Sequence, residues 1–175
     1  MIDIFVLEFM NSISNPLFDN VMPFITKLGD KGLIWILLAL IMLYYKQTRT
    51  YGIAIIMALL LTLVLGEGII KNIVQRDRPF IKYSFNLLIN HPVSYSFPSG
   101  HTASSFAVFG IFLFGIKKYR LPCFILAFLI AFSRLYLGVH YFTDVLGGLV
   151  LGLLDAYIVY RLYLRKNLDY KLKTG

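Results

Sequence analysis

The sequence predicts an all-α fold: an integral membrane helical bundle of five to six transmembrane helices with an amphipathic N-terminal interfacial helix. Hydrophobic residues make up 58% of the 175 residues. The mean hydropathy of +0.73 indicates more apolar surface than one small soluble domain buries. These residues form runs whose lengths approach the ~20 residues that a helix needs to cross the hydrocarbon core. The single cysteine, Cys123, excludes an intramolecular disulfide and therefore a disulfide-stabilised secreted domain.

Residues 1–30 form an N-terminal segment of mixed polarity that breaks at Asn15-Pro16. This pattern predicts a short amphipathic helix at the membrane interface and then a second short segment, with a full membrane span as the alternative. Asp3 and Glu8 interrupt the first apolar residues, and no basic region precedes them. A cleaved signal peptide is therefore not expected.

Residues 31–165 are predicted to form one transmembrane bundle, because no repeat, linker or low-complexity tract divides them. Residues 166–175 form a basic tail. The first and third apolar runs are short for a span and must extend into polar flanks or sit inside the bundle. The runs lie at about 32–45, 51–74, 102–116, 121–138 and 143–164.

Basic residues are distributed unequally between the two ends of the predicted spans. One end receives ten, and the other receives seven, of which three belong to the candidate site below. Because cytoplasmic loops carry the excess of Lys and Arg, the N terminus and the 75–101 loop are expected outside the cytoplasm. Because basic residues beside apolar runs set the orientation of a membrane protein, the net charge of +8 does not indicate nucleic-acid binding, which is not expected. The ten are Lys46, Arg49, Lys117, Lys118, Arg120, Arg161, Arg165, Lys166, Lys171 and Lys173.

The first polar cluster, Lys71-Asn-Ile-Val-Gln-Arg-Asp-Arg78-Pro79, lies at the outer end of the second run. Lys71 and Arg78 are seven residues apart, so both project from one face if the helix persists until Pro79. Two cations on one face favour a bound anion, and Arg matches phosphate oxygens in bidentate geometry. Snorkelling of basic side chains at the end of a span is the structural alternative.

The second cluster, Ser96-Phe-Pro98-Ser99-Gly100-His101-Thr102, precedes the third run. A glycine turn that leads into a helix leaves backbone N–H groups free at the positive end of the helix dipole, where anions bind. Ser99 adds a hydroxyl donor, and His101 can hold a proton near neutral pH. The alternative is an ordinary helix start with Ser99 as cap and His101 at the surface.

The third cluster is Ser133-Arg134, then His140 after five residues and Asp144 after three more. His140 and Asp144 are four residues apart and are expected on one helical face, where a carboxylate can fix the imidazole tautomer and raise its nucleophilicity. Arg134 adds a third cation. All three clusters lie at the outer ends of spans, so we expect them to meet in one site.

The three clusters, in this order, resemble the signature of the type 2 phosphatidic acid phosphatase family. That signature is Lys, six residues and Arg-Pro, then Pro-Ser-Gly-His, then Ser-Arg, five residues, His, three residues and Asp. Every signature position is filled here. The motifs span residues 71–144, and the hydrophobic runs fit the family's helical bundle, whereas residues 1–30 lie outside the resemblance.

The resemblance implies that His140 attacks phosphorus and forms a phosphohistidine while Asp144 holds the other ring nitrogen. It implies that His101 protonates the leaving oxygen and later acts as base toward water. It also implies no metal and no other cofactor, and the sequence has no ligand-spaced cluster of Cys, His or carboxylates near these motifs. The residues implied to bind phosphoryl oxygens are Lys71, Arg78, Ser99, Gly100 and Arg134.

The function that the resemblance implies is that of an integral membrane lipid phosphatase. We expect hydrolysis of a polyprenyl diphosphate such as undecaprenyl diphosphate, at the extracytoplasmic face of the plasma (inner) membrane of a bacterium. Phosphatidic acid or phosphatidylglycerol phosphate as substrate, and phosphotransfer between lipids, stay open. A non-enzymatic lipid-phosphate transporter is less favoured, because binding alone needs no nucleophile with an orienting carboxylate. The sequence fixes neither the oligomeric state nor the preference between mono- and diphosphate.

Four residues outside the signature have structural interpretations. Glu67, one turn before Lys71, predicts a helical ion pair with it. Asp155, in the last run, is expected to face the bundle or a polar helix partner. Arg76 is open between contact with a second phosphate and a solvated loop. Trp35 is expected as an anchor at the membrane interface.

Overall fold

The computed structural model describes residues 1–83, 87–116 and 118–168. Within these ranges every regular element is helical and no strand occurs. A 3₁₀ turn at Asp30–Gly32 precedes α3, and π-helical segments at Leu63–Ile70 and Tyr160–Leu164 continue α4 and α9. The α-helices are α1 (Ile2–Ser12), α2 (Pro16–Leu28), α3 (Leu33–Tyr44), α4 (Arg49–Thr62), α5 (Lys71–Val74), α6 (Pro79–Lys82), α7 (Gly100–Gly115), α8 (Arg120–Tyr136) and α9 (Phe142–Val159).

The N-terminal segment forms two short helices that meet at the predicted break. The Asn15 side chain accepts hydrogen bonds from the N–H groups of Leu17 and Phe18, and Pro16 is the first residue of α2. Both helices pack on α8, and α1 also contacts α9. The N-terminal segment is therefore attached to the helices that carry the third polar cluster, although its position at a membrane interface stays a prediction.

Helix α7 lies at the centre of the bundle and packs most extensively against α9, with α8 and α4 on its other sides. Small residues permit this close approach, because a Cβ at Gly148 or Gly152 of α9 would collide with the α7 backbone. Outward faces carry large apolar side chains, such as Leu121 and Leu162, both exposed by about two thirds. Apolar groups on the outside as well as the inside suit a bundle that is surrounded by lipid.

The five hydrophobic runs each coincide with a helical stretch, but their lengths differ. Two stretches are long and apolar enough to cross a membrane: Arg49–Lys82, which is continuously helical as far as Val74, and Phe142–Leu168. Gly100–Gly115 is a shorter apolar helix. Helix α3 has 12 residues and α8 has 17, below the ~20 that a straight span needs. The architecture is thus an all-helical membrane-type bundle, and the count of five to six spans stays a prediction.

Two expectations about local structure are wrong. The helix that begins at Lys71 does not persist to Pro79: it ends at Val74, Gln75 has a φ of 48°, and Arg78 is extended. Pro79 accounts for the extended backbone of Arg78, because proline disfavours helical backbone at the residue before it, but the helix has already ended by Gln75. Trp35 is not an interfacial anchor, since it is buried and its indole N–H donates to the Ser105 hydroxyl at 3.0 Å.

The division of the chain at residues 30 and 165 stays a prediction. A short turn at Asp30–Gly32 joins α2 to α3, and helical backbone continues from 165 to 168. Most of the basic tail, residues 169–175, lies outside the described residues. Lys117, Lys171 and Lys173 of the orientation argument lie there too.

Candidate active site

A cavity of about 580 Å³ brings the three polar clusters together. Six of the eight predicted site residues line it. Ser99 and Asp144 do not line it but are fully buried. The expectation that the clusters meet in one place is confirmed by this geometry. The six are Lys71, Arg78, Gly100, His101, Arg134 and His140.

His140 lies in the loop between α8 and α9, and the positive φ of Gly138 turns the chain just before it. Its Nε2 is 3.2 Å from the Arg78 guanidinium. Its Nδ1 is 3.4 Å from the Ser96 hydroxyl and 3.5 Å from Asp144 Oδ2. One ring nitrogen therefore faces the cations of the cavity, and the other faces the buried hydroxyl and carboxylate.

The electrostatic surroundings of His140 favour the neutral imidazole. Burial, and after it the charges of Arg78, Arg134 and Lys71, lower the pKa of His140 well below its ordinary value. At neutral pH one ring nitrogen then keeps a free lone pair. That is the form a nucleophilic histidine requires.

Asp144 does not share a helical face with His140, and that expectation is wrong. Tyr141 is the N-cap of α9, so His140 precedes the helix and Asp144 sits in its first turn. The carboxylate oxygen Oδ2 accepts the N–H of Tyr141 at 2.9 Å and the hydroxyl of Ser96 at 2.5 Å. His140 Nδ1 is therefore almost equally far from the Ser96 hydroxyl, at 3.4 Å, and from the carboxylate, at 3.5 Å, and Ser96 joins the two groups through its short bond to Asp144.

Lys71 and Arg78 approach each other even though the helix between them breaks. Both are nearly inaccessible, at 4% and 3% exposure. Lys71 Nζ is 2.7 Å from Glu67 and 3.1 Å from the Ser94 hydroxyl, so the predicted Glu67 ion pair is confirmed. Arg78 donates to the carbonyls of Ser94 at 2.7 Å and Val139 at 2.8 Å. These contacts fix the guanidinium beside the His140 ring.

Arg134 is the third buried cation of the cavity. Its guanidinium donates to the Thr26 hydroxyl at 2.6 Å. Its Nε has no hydrogen-bond partner within the described residues. Three buried cations face one carboxylate, Glu67, at the polar end of the cavity. A buried donor without a partner beside excess positive charge is expected where an anion binds.

Helix α7 begins as the Pro-Ser-Gly-His cluster predicts, with Ser99 as N-cap residue and Gly100 as its first helical residue. The Ser99 side chain makes no capping bond and instead accepts from the Thr102 hydroxyl at 3.0 Å. The Ser99 N–H donates to the Asp144 carbonyl at 3.0 Å, which ties α7 to α9. A Cβ at Gly100 would collide with the Glu67 carboxylate. A larger residue there would therefore displace the Glu67 carboxylate from its position beside Lys71.

His101 lies in the first turn of α7 and reaches the cavity. Its Nε2 is 2.8 Å from the Asp30 carboxylate, which is more than half exposed. Sequence reasoning missed Asp30, because nothing in residues 1–30 relates it to His101. Ser96 was also missed, although it lies inside the quoted cluster, two residues before Pro98. The interpretation of Asp155 is confirmed, since its Oδ2 accepts from the Thr62 hydroxyl at 2.8 Å.

Arg76 lies in neither of the two expected situations. It does not line the cavity, and it is not merely solvated, because its guanidinium lies 2.6 Å from the second carboxylate oxygen of Asp144. As for metals, no three His, Cys, Asp or Glu side chains of the described ranges are grouped as ligands would be. The metal-free site stays a prediction.

Known proteins are similar to this chain in sequence and in fold. The family model of the PAP2 superfamily matches residues 48–168. Undecaprenyl-diphosphatase BcrC of Bacillus subtilis is 34% identical over 155 residues, which cover 84% of this chain and 76% of that protein. Phosphatidylglycerophosphatase B of Bacillus subtilis is 33% identical over 181 aligned positions, which cover 92% and 80%.

A solved structure agrees with the sequence comparisons. The crystal structure of the transmembrane PAP2 type phosphatidylglycerolphosphate phosphatase from Bacillus subtilis superposes with a TM-score of 0.75 at 31% identity. The superposition covers 98% of this chain and 86% of the crystallised phosphatase. All three polar clusters lie inside the residues that the family model matches. The chain therefore belongs to the PAP2 superfamily and is a membrane phosphatase that hydrolyses lipid phosphate esters.

Proposed function

We propose that this phosphatase hydrolyses a polyprenyl diphosphate, with undecaprenyl diphosphate as its principal substrate. The likeness to undecaprenyl-diphosphatase BcrC supports this choice. So does the charge of the cavity, because three buried cations against one carboxylate favour a head group that carries several negative charges. Phosphatidylglycerol phosphate and phosphatidic acid are the alternatives, and the first has support from the likeness to phosphatidylglycerophosphatase B.

The observation that carries the proposal is the two-sided lining of the cavity. One end holds the cations and His140, and the other is walled by aliphatic side chains of α3, α4 and the π-helical segment after it. A ligand that fits both ends has a phosphate group joined to an apolar chain. A free phosphate or sugar phosphate would leave the apolar wall without a partner. The aliphatic residues are Ile36, Ile56, Leu59, Leu60 and Leu63.

The proposed first step forms a bond between His140 Nε2 and phosphorus. As that bond forms, the bond from phosphorus to the bridging oxygen breaks, and its electron pair stays on the leaving oxygen. His101 supplies the proton that this oxygen takes up. Lys71, Arg78 and Arg134 bind the non-bridging oxygens, whose charge grows in the transition state, together with the helix start at Ser99 and Gly100.

The second proposed step releases phosphate by attack of water on the phosphohistidine. His101 has lost its proton in the first step and takes one from the attacking water, so the two steps leave both histidines as they began. Throughout, the Nδ1–H of His140 donates to Ser96 Oγ, which in turn donates to Asp144. This chain selects the tautomer with an unprotonated Nε2, which exchanges its 3.2 Å contact with the Arg78 guanidinium for the bond to phosphorus.

We further propose that the site faces the extracytoplasmic side of a bacterial plasma membrane, since the sequence assigns the ten basic residues named above to the opposite ends of the predicted spans. Phosphotransfer to a second lipid is the competing reaction. It would need a lipid hydroxyl in place of water in the second step and would release no inorganic phosphate. We also propose residues 31–165 as the phosphatase bundle, with 1–30 as its interfacial N-terminal segment and 166–175 as a cytoplasmic tail.

The deciding experiment measures inorganic phosphate released by detergent-purified protein in EDTA. The substrates are undecaprenyl diphosphate, phosphatidylglycerol phosphate and phosphatidic acid, and the control is His140→Ala. We expect release in chelator that is fastest with the diphosphate and is lost in the variant. A faster rate with either glycerophospholipid would overturn the substrate assignment. Release that survives in folded His140→Ala would overturn the phosphohistidine mechanism.

A further inference from the structure

Arg76 binds the buried Asp144 carboxylate on the oxygen that does not face Ser96. Its guanidinium donates to Asp144 Oδ1 at 2.6 Å and to the Thr143 hydroxyl at 2.7 Å, and it lies 3.9 Å from the centre of the Tyr141 ring. Asp144 uses its other oxygen toward Ser96. The two carboxylate oxygens thus have separate tasks: one receives a cation, and the other faces the chain to His140.

The same arginine also connects two of the motifs through its backbone. The Arg76 carbonyl accepts the N–H of Ser96 at 2.8 Å. Ser96 and Asp144, the two groups that orient the His140 ring, are therefore both hydrogen-bonded to one residue. A shift of Arg76 would move both partners of that ring together.

Asp3, near the start of α1, holds Arg76 in turn. Its Oδ2 is 2.7 Å from the Arg76 guanidinium, and its Oδ1 accepts the Thr143 N–H at 2.9 Å. That N–H belongs to the first turn of α9 and has no partner within the helix. Burial alone would raise the pKa of Asp3, but hydrogen bonds from Arg76 and Thr143 lower it below its ordinary value. Asp3 is therefore a charged link between α1, Arg76 and the helix that carries Asp144.

Charge balance gives this link a catalytic consequence. Asp144 has no solvent exposure, and a buried carboxylate that loses its cation is left with an uncompensated charge. Without the Arg76 guanidinium on Oδ1, the carboxylate is free to rotate. Ser96 then loses a fixed acceptor and can turn away from His140.

We propose that Arg76 is a positioning residue for the Asp144–Ser96–His140 chain and that Asp3 secures Arg76, which makes the N-terminal helix part of the catalytic unit. The proposal rests on the function above, because it assigns a task to the partners of the proposed nucleophile. Neither residue lines the cavity, so neither is expected to bind substrate. The family model begins at residue 48, so the link from Asp3 joins the matched region to a segment outside it.

Kinetics of full-length variants test the proposal on the lipid phosphate that the wild type hydrolyses fastest. Arg76→Gln is expected to lower kcat by ~10- to 100-fold, the range seen when a functional histidine loses a residue that holds its hydrogen-bond partner. KM should stay within about twofold of wild type. Arg76→Lys should recover part of kcat, and Asp3→Asn should lose less than Arg76→Gln.

Two matched controls separate this effect from a general loss of charge. Lys82→Gln removes an exposed cation six residues after Arg76, and Glu8→Gln removes an exposed carboxylate from α1. Both should keep wild-type kinetics. The combined Asp3→Asn and Arg76→Gln variant should lose little more than Arg76→Gln alone, because both changes act through one link. A raised KM with unchanged kcat in Arg76→Gln, or additive losses in the double variant, would overturn the proposal.

A spectroscopic readout keeps the inference separate from the proposed function. The chain has three histidines, and His140→Ala identifies the ring signals of His140 in ¹⁵N spectra of the detergent-solubilised protein. We expect a single Nδ1–H tautomer in the wild type and in Lys82→Gln, and a mixture in Arg76→Gln. A wild type that releases no phosphate defeats the proposed function, while the spectra still decide the link. If folded Arg76→Gln shows the same single tautomer as the wild type, the positioning role of Arg76 is overturned and the proposed function is not affected.

Discussion

Replacing Ser96 with alanine is expected to lower kcat on the order of 10- to 100-fold. The Ser96 hydroxyl donates to Asp144 at 2.5 Å and lies 3.4 Å from His140 Nδ1, so alanine removes the group that joins carboxylate and ring. A hydrogen bond to a charged group contributes about 1.5–3 kcal/mol, which corresponds to this range of rate when it is lost in the transition state. KM should stay near wild type, because Ser96 does not line the cavity.

The assay is steady-state phosphate release, with protein folding checked by thermal unfolding. Ser96→Thr retains the hydroxyl and should keep more activity than Ser96→Ala. Asp144→Asn should lose more than either, because it removes the charged acceptor of both Ser96 and Arg76. Full kcat in Ser96→Ala would refute the reasoning. It would mean that the carboxylate closes the 3.5 Å separation and binds the ring directly.

Three further predictions concern charge in the cavity. Since burial and nearby cations lower the pKa of His140, kcat/KM in a pH–rate profile should show no loss near the ordinary histidine value of ~6.5 as pH falls, and a limb there would contradict the proposed neutral nucleophile. Arg134→Gln should reduce phosphate release by ~100-fold or more, as loss of a transition-state donor does. The unfolding temperature should stay unchanged or rise, because the change removes a buried guanidinium with an unpaired Nε. A clear fall in the unfolding temperature would show a structural role for Arg134 instead. Glu67→Gln should lower KM for the diphosphate more than for a monophosphate, because it removes the one carboxylate beside Lys71 at the polar end; equal or opposite changes in the two KM values would contradict this account of charge.

The sequence predicts the bundle and the meeting of the motifs well, for a physical reason. Each apolar run must satisfy its backbone internally within a membrane, so run and helix coincide. Polar residues that interrupt such runs cost free energy within a membrane, so they are expected where they contact one another. Lys71, Arg78, His101, Arg134 and His140 reached one cavity by that argument.

The contacts that sequence reasoning missed join segments that are distant along the chain. Arg76 pairs with Asp3 across 73 residues and with Asp144 across 68, and no periodicity or spacing relates such positions. Ser96 was missed for a different reason. Four-residue spacing suggested a direct His140 and Asp144 pair, but the chain enters α9 only at Tyr141, which leaves room for a hydroxyl between them.

The π-helical segment Leu63–Ile70 sets the direction that the end of the second helix faces. A π-helical turn holds more residues than an α-helical turn, so each residue turns the chain by less than the roughly 100° of an α-helix. If the same eight residues were wound as a regular α-helix, Lys71 would face a different direction, although no side chain of the cavity had been altered. The wider winding of this segment therefore brings Lys71 to the other cations, and a substitution that made it regular would change the cavity while preserving the bundle.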